Sequence, residues 1–101
     1  MNNYHKTNPN ITFTDFINLS KEVENFKSLR GNNYKVLSIN NDIMVFERLN
    51  SNTIWRMDLL AVYNAFKNLT VFKTENFKPY VNRTQSPALG LLIKINLLQK
   101  G

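Results

Sequence analysis

The sequence predicts a small α+β fold of order α-β-β-β-α-α, a three-stranded antiparallel meander packed by helices. Three observations predict it. Apolar residues recur at helical spacing on either side of the centre, three short alternating runs lie between residues 34 and 57, and Asn-rich turns join those runs. At 101 residues, 43% hydrophobic and 12% aromatic, the chain can fill one core and is too short for two. Residues 1–10 are polar and aperiodic and are expected as a mobile tail, with residues 11–101 as a single α+β domain.

The first helix is expected over residues 14–30. Phe16, Leu19, Val23 and Phe26 recur at helical spacing and share one face. Thr12 or Thr14 caps the first turn and Asp15 complements the macrodipole. Lys27 and Arg30 fall in the last turn, and Gly31 supplies the left-handed stop.

Strands are expected over residues 34–39, 43–49 and 53–57, joined by turns at Asn40-Asn41-Asp42 and Asn50-Ser51-Asn52. Two-residue loops in both hairpins would put Lys35, Leu37, Ile39, Met44, Phe46, Arg48, Trp55 and Met57 on one face. Tyr34, Val36, Ser38, Ile43, Val45, Glu47, Leu49, Ile54 and Arg56 would form the other. Neither face is polar, whereas an antiparallel sheet usually solvates one. Either the helices divide between the faces or a partner covers what they leave.

Asp58 caps a second helix over residues 59–69, whose apolar stripe is Leu59, Val62, Tyr63, Phe66 and Leu69. A linker, residues 70–85, leads to Ser86-Pro87, read as cap and first residue of a third helix. Residues 88–98 are apolar nearly all round. Ile93 to Leu97 also alternate like a strand, so helix and strand both stay open there.

Several function classes are disfavoured. With no cysteine there is no disulfide or thiolate chemistry. No apolar run approaches the ~18–20 residues that span a bilayer, so no membrane partner is expected. The first residues lack a signal peptide's apolar segment, and a cytoplasmic location is the expectation. His5 is the one histidine, the acids show no metal-binding spacing, and Gly31, Gly90 and Gly101 cannot build a phosphate loop. No enzyme activity, metal or cofactor is expected.

The net charge is +6. Five basic residues, Lys73, Lys78, Arg83, Lys94 and Lys100, stand against Glu75 alone in residues 70–101. That asymmetry points to an anionic partner, nucleic acid above all. Base composition yields a similar excess, because Lys and Asn both use A-rich codons.

The first site candidate is Tyr80 to Pro87. There Arg83, Thr84, Gln85 and Ser86 stand just ahead of a helix N-terminus, where free amides favour anions, with Lys73, Lys78 and Tyr80 nearby. The second is the sheet face of Lys35, Arg48 and Trp55, a platform for stacking and phosphate contact. The competing reading is sheet stabilisation, with Arg48 over the Trp55 indole and, on the other face, Glu47 paired with Arg56 across strands. The expected role is a small non-enzymatic binding protein, a sequence-tolerant nucleic-acid binder through the basic final third. The alternative is a protein-interaction or homodimerisation module using an apolar sheet face or the last helix.

Overall fold

The computed structural model describes residues 4–101. They form a small compact α+β domain. Its elements are β1 (Tyr4–Lys6), α1 (Phe13–Lys21), β2 (Asn25–Lys27), β3 (Asn33–Asn40), β4 (Ile43–Arg48), β5 (Thr53–Asp58), α2 (Leu59–Asn68), a 3-10 turn (Thr74–Phe77), α3 (Gln85–Lys94) and β6 (Leu98–Lys100). β2-β3-β4-β5 make an antiparallel sheet in that order, and β1 pairs separately with β6. The expected three-strand meander therefore gains a fourth strand, β2.

That strand takes residues expected in the first helix. Thr12 does cap α1, its hydroxyl accepting from the Asp15 amide at 3.1 Å. The helix stops at Lys21, however, where the Glu22 and Val23 amides bond back to Leu19 and Ser20 at 3.2 Å and tighten the last turn. Phe26 then pairs with Tyr34 across β2 and β3, with its ring 5.1 Å from that of Tyr34 and 5.5 Å from Phe46. Val23 and Phe26 reach the core from coil and strand, so their helical spacing is satisfied without a helix. Gly31, at φ 86, serves the β2–β3 turn instead of a helix end.

The faces of β3 also differ from expectation. Val36 stands opposite Phe46 and Ser38 opposite Val45, so Leu37 is an extra residue in a bulge. Every position before the bulge changes sides. Tyr34 and Val36 join Ile39, Met44, Phe46, Trp55 and Met57 on the inner face, and Lys35 moves to the outer one. Leu37, expected on the same face as Met44 and Phe46, is 47% exposed. The first hairpin has the expected two-residue loop, with Asn41 and Asp42 at φ 52 and 64. The second has four loop residues, 49–52, and Asn52 supplies the positive φ.

The helices do not divide between the two faces of the sheet. Phe16 of α1 and Leu59, Val62 and Phe66 of α2 are wholly buried in the core that holds Met44 and Phe46. Ile43, Val45, Leu49 and Ile54 face outward, and Leu49 and Ile54 are 46% and 52% exposed. The third helix lies beside β2, where Gly90 meets the Lys27 backbone. Its residues from Pro87 to Leu92 are all buried, and Ile93 in its last turn is half-buried.

Residues 6–11 are bonded to α2 and to the segment before β6. Lys6 donates from Nζ to the Lys67 carbonyl at 3.0 Å, and the Thr7 amide donates to Leu97 at 3.0 Å. Lys67 donates to the Pro9 carbonyl at 2.7 Å, and the Tyr63 hydroxyl donates to Ile11 at 2.9 Å. Residues 4–10, read from sequence as part of a tail, thus run over the C-terminal turn of α2. The remaining tail residues, 1–3, lie outside the described residues.

Candidate binding groove

The bulge and the short β2 together create the main concavity. β2 pairs with β3 only as far as Asn25 opposite Lys35, and the Val36 amide adds one last bond to Glu24 at 2.8 Å. Beyond it, among the described residues, no strand pairs with residues 37–40 of β3 on that side. A groove of about 790 Å³ follows this edge, bounded across from it by Gly90, Ile93 and Lys94 of α3. A smaller hollow of about 380 Å³ shares Val23, Glu24, Asn25 and Lys94 with it and continues toward Asn96.

The chemistry of the groove is simple. Val23, Val36, Leu37, Ile39 and Ile93 give it an aliphatic lining, and Lys21, Lys27, Lys35 and Lys94 stand around that lining with Glu24 as the one carboxylate. All four lysines are exposed. They come from α1, β2, β3 and α3, so only the fold brings them together. Phe26 is the single aromatic residue of the lining and is 3% exposed.

The residues expected to form a site fall in several places. Lys35 and Lys94 are in the groove. Arg83 stands two residues before α3 in a left-handed conformation, φ 72, and Thr84, not Ser86, is the residue at the N-cap. The helix starts at Gln85, with Ser86 second and Pro87 third, where proline's missing N–H is still one of the helix's free amides. Thr84 is 3% exposed and forms no side-chain cap bond. Lys73 and Lys78 flank the 3-10 turn, and Tyr80 is half-buried against the core. Because α3 spans ten residues, about 15 Å, Arg83 and Lys94 lie at its opposite ends.

Arg48 and Trp55 share the inner face as expected, but neither forms the expected platform. Arg48 stands opposite Thr53 and donates from Nη2 to Asn32 Oδ1 at 3.1 Å, while Trp55 stands opposite Phe46. Arg48 Nε and Trp55 Nε1 are buried and have no hydrogen-bond partner among the described residues. Lys35 faces the other way. Glu47 stands opposite Ile54 and Arg56 opposite Val45, so that charge pair is diagonal and not directly cross-strand.

Lys21 and Lys27 were not legible as site residues. Lys27 reads as the last turn of a helix until Phe26 is seen to pair with Tyr34. The available signal was the alternation of Asn25, Phe26 and Lys27 between Val23 and Ser28.

Among the described residues no group of three or more His, Cys, Asp or Glu could hold a metal ion, and no helix is long and apolar enough to cross a membrane. No protein-family model matches the chain, and neither a curated protein nor a solved structure matches it.

Proposed function

We infer that this chain is a non-enzymatic binding protein that holds an anionic partner in the groove beside β3. The observation that carries the reading is the set of Lys21, Lys27, Lys35 and Lys94 around an aliphatic lining with one carboxylate among them. Like charges gathered by the fold raise the local potential and attract anions. The aliphatic lining favours a partner with apolar as well as acidic groups. Nucleic acid remains the second reading, located at the segment ahead of α3. Its support is the exposure of Lys73, Lys78 and Arg83, with Arg83 adjoining the free amides of α3.

Two triple variants separate the readings. K21E/K35E/K94E reverses exposed groove charges, and K73E/K78E/R83E reverses those of the other segment. Binding of labelled polyglutamate and single-stranded DNA by anisotropy, at two salt concentrations, reads the outcome. The groove reading predicts that the first variant loses anion binding and the second keeps it. The reverse pattern would move the function to the segment ahead of α3. A nucleic-acid site there would lose affinity with salt at a slope of about −0.7 per phosphate on single strands.

A further inference from the structure

We propose that the partner is an acidic peptide segment that docks in extended conformation as an added strand on the open edge of β3. The proposal rests on the groove reading above and adds the partner's class and its mode of binding. Two independent features carry it, the backbone at the edge and the charge around it.

The backbone comes first. Asn41 and Asp42 both have positive φ, so β3 and β4 join in a two-residue hairpin. In such a hairpin the flanking residues, Asn40 and Ile43, exchange both ladder bonds. Alternation then turns the N–H and C=O of Ile39 away from β4, toward the edge where β2 has ended. An extended peptide satisfies both groups and gains register from them. The Leu37 bulge ends the regular ladder at one end of this stretch and the Asn41-Asp42 turn ends it at the other, so the strand it accepts is short.

Charge then chooses the partner. An added strand presents alternate side chains to opposite sides. Apolar residues on one side meet Val36, Ile39 and Ile93, and carboxylates on the other reach Lys35, with Lys21 and Lys94 flanking. A second copy of this chain is a poor occupant, because its net charge is +6 and lysines along an edge oppose self-pairing. Single-stranded nucleic acid lacks the exposed aromatic surface on which its bases stack.

The test uses the full chain and a peptide of about eight residues alternating Glu with Val or Ile, long enough to cover the open stretch. A second peptide has the same sequence with alternate backbone amides N-methylated, which keeps its charge and apolar groups but blocks pairing. A third arm offers single-stranded DNA and phosphatidylglycerol vesicles. Strand addition predicts that the first peptide binds, that methylation weakens it by about tenfold or more, and that K21E/K35E/K94E abolishes binding. Leu37→Asp, at an exposed position, should weaken the peptide by a similar factor while leaving the unfolding midpoint in place. No effect of Leu37→Asp, which adds a carboxylate to the groove lining, overturns both strand addition and the anionic-groove reading. Equal binding of the two peptides overturns strand addition and leaves the anionic-groove reading standing. DNA or vesicles binding through the groove lysines, with neither peptide bound, does the same. If no anion binds through these lysines, both fail.

Discussion

Gly90 of α3 packs directly on the backbone of Lys27 in β2. A Cβ at Gly90 would collide with the Lys27 carbonyl oxygen and stand 3.0 Å from its carbon and 3.2 Å from Ser28 Cα. The obstruction is backbone, which cannot rotate aside. This contact holds α3 beside the edge of β2 and so sets Ile93 and Lys94 across the groove from β3.

Helix propensity alone says that Gly90→Ala should stabilise by about 1 kcal/mol. The close approach says the opposite, since overpacking typically costs about 1–3 kcal/mol. We expect the clash to win, with net destabilisation in urea unfolding. A stabilised variant would show that α3 is not seated on β2.

Phe46 lies at the centre of the core, fully buried, with the Phe26 ring 5.5 Å and the Tyr34 ring 5.2 Å away. Phe46→Ala should cost about 3–5 kcal/mol, as truncation of a packed aromatic residue does. Leu37→Ala, at the exposed bulge, should cost under about 0.5 kcal/mol. Comparable losses at the two sites would restore the sheet faces read from sequence.

Removing residues 1–6 deletes β1 and the Lys6 bond that covers the last turn of α2. Each lost bond is worth about 1 kcal/mol, so a measurable fall in the unfolding midpoint is expected. An unchanged midpoint would make this segment the tail that composition suggests.

Lys6 also gives a pH signature. Its pKa lies below the ordinary 10.5, first because burial disfavours its charge and second because Lys67 repels it. Between its folded value and 10.5 the unfolded chain binds more protons, so this group's contribution to stability rises with pH across that window. Below the folded value both states are protonated and the penalty is constant. Relative to Lys6→Met, the wild type should therefore gain stability as pH is raised toward 10.5. A gap that is flat or moves the other way would contradict the burial of Lys6.

Local signals were legible in the sequence wherever neighbours in the chain decide the structure. The Asn41-Asp42 turn, the Asp58 cap and the α2 stripe are of this kind, and Asp58 Oδ1 indeed accepts from the Leu60 and Ala61 amides at 2.9 and 3.2 Å. What escaped was decided across the chain. Phe26 leaves a helical pattern because Tyr34 and Phe46 receive its ring, and one extra residue at Leu37 exchanges the faces of Tyr34, Lys35 and Val36. The groove inherits both effects, since β2 bears Lys27 and the bulge lies beside its open edge. Of its four lysines, sequence reading singled out Lys35 and Lys94, each for a different surface.

The central claim is that an anionic partner occupies the groove beside β3. Amide chemical-shift mapping of the isotope-labelled chain, titrated with the alternating acidic peptide, tests it most directly. The account predicts that the largest shifts fall on Val36 to Ile39, Glu24 and Asn25, and Ile93 and Lys94, with the Ile39 amide becoming protected from exchange. Shifts centred on Lys73, Lys78 and Arg83 to Ser86, with the β3 edge unmoved, would contradict it.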